Sequence, residues 1–313
     1  MDRQFAQIEA DPFAADAAAW ARVSVITVTH HSEAVIGQCL ASLGRGAEII
    51  VVDNASADAT RDIVRRACPA ARLIHNRVGV GYGNGLNCGL RLAEREFALV
   101  MNPDAFIGPG AIERLIAAAD RYPDAAVFAP TFRDGEGKVV RSHDVNLFAR
   151  DRFTFGPHYR EPDGDLCADY IAAAVLLVRR EALAAMGFFD PNIFLYYEDD
   201  DFCMRMRQAG WGLVLVWGAY VVHIGGASSR PSRGAVWEKF WHMAWSRLYI
   251  ERKYRGTAAM LALGVPRFFR YGLKALGYLL IFNGAKMQRD AARFCGTAAY
   301  LAGVPSVPRG AAR

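Results

Sequence analysis

Four adjacent acids, Glu198, Asp199, Asp200 and Asp201, sit inside the run FLYYEDDDFCMRMRQAGW at residues 194–211. An aromatic, strand-like stretch precedes them. A helical pattern follows, with Phe202, Met206 and Ala209 on one face and Asp201 four residues before Arg205. One or two acids at a helix start would complement the macrodipole and cap free amides. Four in a row repel one another, so some must be held by a cation, a donor or a substrate. Such crowding also raises a carboxylate's pKa toward the range of a useful general base.

Two further signals lie elsewhere in the chain. Residues 97–101 (FALVM) form a short apolar run of buried-strand type ending in Asn102-Pro103-Asp104. Proline cannot continue a central strand, so the chain turns there. Asp104 is thereby delivered just past the carboxyl end of a strand, the edge where open α/β sheets bind ligands. His223 follows the apolar stretch 214–222 and precedes Gly225-Gly226-Ala227-Ser228. A lone histidine after a strand is commonly structural, and this one draws interest only from its company.

The first hundred residues supply elements that can position these groups. Residues 23–28 (VSVITV), 48–52 (EIIVV) and 72–75 read as strands, and 34–43 and 58–67 as amphipathic helices, the second stopped by Pro69. The loop Gly79-Val80-Gly81-Tyr82-Gly83-Asn84-Gly85 then leads into a helix over 86–93. Strand and helix alternate at short intervals, which predicts an α/β fold with a parallel sheet covered on both faces. Each strand ends in polar residues: Thr29-His30-His31, Asp53-Asn54, His75-Asn76 and Asn102-Pro103-Asp104. Four such ends in register make one continuous binding edge.

The glycine loop does not encode a dinucleotide fingerprint. No G-x-G-x-x-G can be read from Gly79, Gly81, Gly83 or Gly85, and the loop follows the third strand rather than the first. Its glycines let backbone approach a ligand or a helix start closely. A dehydrogenase is not expected.

Taken in order, VSVITVTHHSE, VVDNASADAT, RVGVGYGNGLNCGL, LVMNPDAFI and FLYYEDDDFCMRMRQAGW followed by HIGGASS resemble the segments of family-2 glycosyltransferases. The likeness covers roughly residues 22–255, and bacterial rhamnosyltransferases of cell-surface polysaccharide synthesis are the nearest in kind. It implies the A-type nucleotide-sugar fold, a Rossmann-like, mixed but mainly parallel sheet flanked by helices. By the resemblance, Asp53 would bind the pyrimidine base, with Thr27 and Thr29 in the same pocket. Glu33, Asn54, Asn76, Gly81, Asn84, Asn87 and Asn102 would contribute to the nucleotide-sugar site. Asp104 would bind a divalent cation, magnesium or manganese, together with the donor diphosphate, and His223 would be the second protein ligand. Asp199 would be the general base and Glu198 would orient the acceptor or the base. Asp200 and Asp201 are then helix-starting acids, Asp201 paired with Arg205. Two departures stand out: Asn102 replaces a common first aspartate at the metal turn, and Leu86 a common asparagine in the glycine helix. His30-His31 also stand where Tyr-Asn is usual.

Composition bounds the rest. The 313 residues are 53% apolar, enough for one large domain and an appendage. The expected division is an extension over 1–21, a catalytic domain over 22–235 and a basic, amphipathic helical region over 236–313. Six cysteines show no metal-ligand spacing and read as free thiols of a reducing compartment. The N-terminus carries no apolar signal core. The uncharged span 208–229 has spanning length, but its glycines favour two buried strands. Residues 236–313 hold 13 Lys or Arg against 3 Asp or Glu, a net +10, while the preceding residues carry a net −5. Arg267, Arg270 and Lys274 are set on one helical face against Phe268, Phe269, Leu276, Leu279, Leu280 and Phe282. This pattern reads as a membrane-surface element, or else as a helical appendage packed on the catalytic domain. No nucleic-acid module accompanies the charge.

The expectation is an inverting, metal-dependent transferase. It would move a sugar, first rhamnose from dTDP-rhamnose, to a lipid-linked or polysaccharide acceptor. Its expected place is cytoplasmic, peripheral on the inner face of the cytoplasmic membrane, and its oligomeric state is left open. The alternative is a non-catalytic sugar-nucleotide or glycan-binding relative. A nucleotidylyltransferase would want a basic, glycine-rich N-terminal loop, and VTHHSE is neither.

Overall fold

The structure, a computed structural model, describes residues 17–150, 162–226 and 233–307. Most of the extension over 1–21 and the Ala227-Ser228-Ser229 end of the histidine motif lie outside these residues. The N-terminal half alternates as expected. Helix α1 (Ala17–Trp20) leads to β1 (Val23–Thr29), α2 (Ile36–Ala41), β2 (Glu48–Asn54), α3 (Thr60–Ala67), β3 (Arg72–Asn76), α4 (Tyr82–Leu90) and β4 (Phe97–Met101). Then come β5 (Ala105–Ile107), α5 (Ala111–Arg121), β6 (Ala125–Arg133), β7 (Val139–Val140), β8 (His143–Asp144) and α6 (Leu147–Arg150). Beyond them lie β9 (Leu166–Cys167), β10 (Tyr170–Ile171), β11 (Val175–Arg179), α7 (Arg180–Met186), α8 (Glu198–Gln208), β12 (Gly212–His223), α9 (Arg233–Leu280) and α10 (Gly284–Leu301).

The main sheet runs β3-β2-β1-β4-β11-β6-β12-β5. Strands β3, β2, β1 and β4 are mutually parallel, whereas β11 and β5 enter antiparallel. Every residue of β1 is buried. Val23 and Val25 belong to one apolar layer, and Ile26 and Val28 to the other. A strand covered on both faces reads as an unbroken apolar run, and each fully buried Val or Ile contributes about 1.5–3 kcal/mol.

Helix α4 starts earlier than the expected 86–93. It begins at Tyr82, so Gly83 and Gly85, expected in the loop, are helical residues, as is Gly89. A Cβ on Gly89 would come within 2.5 Å of Ile26 Cγ2, so this face of α4 lies directly on β1 and tolerates no side chain. Nor do residues 212–223 form two strands. They make the single strand β12, with register shifts between Gly212 and Leu213 and between Val216 and Tyr220.

Helix α9 breaks at Gly256, which has φ 84° and ψ 175°. The segments before and after it fold into an antiparallel pair, with Gly264 against Leu248, and α10 completes a three-helix unit. Gly296 of α10 sits on the Trp241 carbonyl, and Phe268 stacks on Phe294. This unit is knitted to the sheet domain. Lys253 Nζ lies 2.6 Å from both Asp190 and Asp201, and the Tyr254 hydroxyl donates to Asp201 at 2.8 Å. Ser306 donates to the Asn192 carbonyl and accepts from the Phe194 amide.

The expected apolar face of the tail divides differently. Phe268 packs inward and Arg267 is half-buried, while Phe269, Leu276, Leu279, Leu280 and Phe282 are exposed. Packing on α10 and on the first segment of α9 selects the other side of the helix as its inner face. No helix among the described residues is long and apolar enough to cross a membrane.

Candidate active site

A cavity of about 900 Å³ opens at the carboxyl ends of β1 and β4. Asn54, Gly81, Asn102, Glu198 and Asp199 line it, together with Tyr82, Arg150, Tyr170 and Asp200. Glu238 and Met243 from the first segment of α9 close one side.

The acidic cluster reaches the cavity through a strained turn. Tyr196 and Tyr197 both adopt left-handed backbone, with φ 66° and 67°, and Tyr197 caps α8. Bulky residues seldom take this conformation, and consecutive pairs persist only where packing over-determines them. Two such residues reverse the chain and start α8 with Glu198 and Asp199 at the cavity wall. Each of the four acids then meets a different environment. Asp199 Oδ2 accepts from the Tyr170 hydroxyl at 2.6 Å, and Oδ1 accepts from the Asp200 amide at 3.0 Å. Burial and the adjacent Asp199 hold the Tyr170 phenol far above its ordinary range, so it stays a donor. Arg150 lies 3.8 Å from the Tyr170 ring centroid and pairs with Asp200 Oδ1 at 2.6 Å. Burial, followed by the charge of Asp199, pushes the Asp200 carboxyl up to about 7.

Glu198 is 8% exposed, and its Oε2 has no hydrogen-bond partner among the described residues. Burial first and Asp199 second push this carboxyl up to about 8, so it is mostly neutral at pH 7. Asp201 is fully buried and pairs with Arg205 at 2.9 Å, as the i, i+4 spacing predicts, and it also holds Lys253 and Tyr254.

At the other end, the Asn102-Pro103-Asp104 turn leads into β5, which pairs antiparallel with the end of β12 so that His223 faces Ala105. That register sets His223 Nε2 3.5 Å from Asp104 Oδ1 and 3.4 Å from Asn102 Nδ2. Asp104 is 1% exposed. A carboxylate oxygen and an imidazole nitrogen at this separation can both reach one divalent cation from about 2.1–2.2 Å each, and the Asn102 amide can turn its oxygen inward. The donor set therefore fits such an ion. Among the described residues no three His, Cys, Asp or Glu side chains cluster as a ready metal cage, so other ligands must complete the shell.

Asp53 anchors the third part. It is fully buried, accepts from Thr29 Oγ1 at 3.3 Å, and lies 2.8 Å from His75 Nδ1 and 3.6 Å from Arg61. Thr27 Oγ1 is buried with no hydrogen-bond partner among the described residues. Glu33 accepts from the Ala59 amide and so ties the first turn to the loop after β2. Asn54 shapes the glycine loop, accepting from the Val80 amide at 3.0 Å and donating to the Gly81 carbonyl at 3.3 Å, with Asn76 donating to it from behind. Gly81 has φ 91°, and a Cβ there would strike the Phe194 carbonyl.

Asn84 and Asn87 do not reach the cavity. Asn84 donates to Val80 and Pro191 carbonyls, and Asn87 exchanges two hydrogen bonds with Phe189. Their amides brace the loop before α8. Arg150, Glu238 and Met243 carried no signal in the sequence, because each reaches the cavity from an element with no motif of its own.

The family described as "Glycosyl transferase family 2" matches residues 24–184. The N-acetylglucosaminyl-diphospho-decaprenol L-rhamnosyltransferase of Mycobacterium tuberculosis is 31% identical over 230 residues, covering 64% of this chain and 75% of that protein. Rhamnosyltransferase WbbL of Escherichia coli is 25% identical over 249 residues, 74% of this chain and 93% of its own length. Among solved structures, the mannosyltransferase PcManGT from Pyrobaculum calidifontis, in complex with GDP-Man and Mn2+, aligns with a TM-score of 0.53 at 14% identity. That alignment covers 90% of this chain and 87% of that one, and it speaks for a shared fold.

Proposed function

The chain belongs to glycosyl transferase family 2, and on that premise we propose that it transfers rhamnose from dTDP-rhamnose, with inversion, to a lipid-linked or polysaccharide acceptor. One observation carries the reading. A carboxylate held by a hydroxyl donor (Asp199) and the Asn102-Pro103 start of the metal-competent turn border the same cavity, with Asp104 and His223 within 3.5 Å of each other beside Asn102, and the cavity's volume suits a nucleotide sugar.

Asp199 takes the proton of the acceptor hydroxyl. The acceptor oxygen bonds to the anomeric carbon as the bond to the diphosphate breaks, and that electron pair leaves with the nucleotide. Tyr170 positions Asp199 by its hydrogen bond, and Arg150 fixes Tyr170 from the far side of the ring. Glu198, mostly neutral, orients the acceptor as a donor of a hydrogen bond. Asp53, with Thr27 and Thr29, holds the base, while Asn54 and Gly81 shape the wall along the diphosphate. Glu33 and Asn76 support that wall, and Asn84 and Asn87 serve the framework. A magnesium or manganese ion held by Asp104 and His223 would neutralise charge developing on the leaving diphosphate. The sheet domain over 22–235 holds the donor, and the basic region over 236–313 sets the enzyme on the inner face of the cytoplasmic membrane.

The test is transfer from dTDP-rhamnose to an N-acetylglucosaminyl-diphospho-polyprenol, the acceptor type in the mycobacterial relative's name. Asp199→Asn should lose at least about a hundredfold in turnover. Its thermal stabilisation by the donor should match wild type. Normal turnover in Asp199→Asn alongside a dead Asp200→Asn would refute the assignment of the base. Stabilisation by uridine-diphospho sugars alone would replace the donor.

A further inference from the structure

The second segment of α9 turns a continuous apolar face away from the protein. Leu261, Val265, Phe269, Leu273, Leu276 and Leu280 are 42–71% exposed. At helical spacing they fall within an arc of roughly 120° and run for about 28 Å. The arc ends at the turn into α10, where Ile281 is 67% and Phe282 94% exposed. Phe282 also has φ 55°, an uncommon backbone for a large side chain. An aromatic residue is thus presented to the outside at the apex of a helical hairpin, at a cost in backbone strain. Contiguous apolar surface of this extent marks an interaction site.

Charge identifies the partner. Residues 252–289 contain eight Lys or Arg and no Asp or Glu. Several of these cations are engaged internally: Arg255 with Glu251, Arg289 with Asp290, and Lys253 with Asp190 and Asp201. Arg270 and Lys274, about 60° and 100° beyond the Leu273 edge of the arc at helical spacing, and Lys286, just past the apex, make no ion pair among the described residues. An apolar stripe on a segment that carries unpaired cations and no acid of its own between residues 252 and 289 complements an anionic lipid surface and repels basic protein surfaces.

Granting the membrane-surface reading of the C-terminal region, on which this rests, we propose that the outer face of residues 261–282 inserts into the interfacial layer of an anionic bilayer, with Phe282 deepest. The helix lies in the membrane plane, with Arg270 and Lys286 toward the headgroups and Lys274 on the outer side, within the reach of the surface potential. The same helical unit carries Glu238 and Met243 at the cavity wall.

The experiment is sedimentation of the full chain with vesicles of phosphatidylglycerol and phosphatidylcholine. Wild type, Leu276→Glu, Phe282→Asp and Trp217→Ser would be compared, the last an exposed aromatic on β12, outside the helical unit. Leu276→Glu and Phe282→Asp should each lower partitioning at least about tenfold, with melting temperatures unchanged because both sites are exposed. Trp217→Ser should bind as wild type. Pure phosphatidylcholine should weaken wild type by up to about a hundredfold, since three cations lose their counter-charge. Wild type that fails to sediment would overturn the membrane reading itself. Sedimentation unchanged in Leu276→Glu and Phe282→Asp would overturn the insertion face and leave that reading standing. A wild-type oligomer that these variants convert to monomer, without loss of vesicle binding, would reassign the face to a second copy of the chain.

Discussion

Replacing Glu198 by glutamine separates a neutral hydrogen-bond donor from a working charge. With a carboxyl near 8, about one wild-type molecule in ten is ionised there at pH 7, and about ten in eleven at pH 9. Ionisation sets a second negative charge beside Asp199 and leaves Glu198 without a proton to donate. Glu198→Gln keeps the shape and the donor and cannot ionise. Its kcat/KM should stay close to wild type at pH 7 and exceed it roughly tenfold at pH 9. The stability arm has the same sign. Because the folded carboxyl sits above its ordinary 4.5, its contribution is fully present below about 4.5 and is lost as pH rises through about 8. Asp200 adds a similar loss between 3.8 and about 7 in both proteins. The melting temperature of Glu198→Gln should therefore gain on wild type between about pH 6 and pH 9. Steady-state rates across this range and thermal melts in the same buffers supply both readouts. An inactive Glu198→Gln at pH 7, or a wild-type to variant ratio flat with pH, would refute the neutral-donor role.

Chelation with EDTA should abolish transfer, and Asp104→Ala should do so without unfolding the protein; full activity in EDTA would remove the metal. Lys253→Met breaks two 2.6 Å bonds but leaves Asp201 with Arg205 and Tyr254, and Asp190 with Tyr249. Lys253 is about a quarter exposed, so the expected loss is about 2 kcal/mol in urea unfolding, and a loss below about 0.5 kcal/mol would show that the clamp contributes little.

The sheet was legible where the chain is punctuated. The runs at 23–28, 48–52 and 97–101 are mostly apolar, broken only by Ser24, Thr27 and Glu48, and end in polar residues, the signature of strands buried on both faces. Their polar ends do share one edge in the structure. The glycine helix was legible only from residue 86: its first turn was not, because Gly83 and Gly85 look like a loop by propensity, and the close approach of α4 to β1, with Gly85 against Val28, explains them as helix. The bulge in β12 was hidden for a similar reason, since one long strand with a register shift resembles two short ones. In the site, the acid run and the metal turn were visible as local patterns. Their supports were not: Arg150 and Tyr170 meet Asp200 and Asp199 only through the tertiary fold. The amphipathic tail was visible as a pattern, but which arc faces outward depends on α10 packing against the other.

Ser306 fastens the segment that turns into α8, yet it is synthesised 114 residues after Asn192. A ribosome therefore delivers the sheet, the acid run and the strained Tyr196-Tyr197 turn long before the residue that pins them arrives. During that interval the nascent sheet can pair its strands, while the entrance to α8 lacks its last two hydrogen bonds. A chain released early would keep Asp199 on Tyr170, Asp200 on Arg150 and Asp201 on Arg205, but without the ties that Lys253, Tyr254 and Ser306 add from the helical unit.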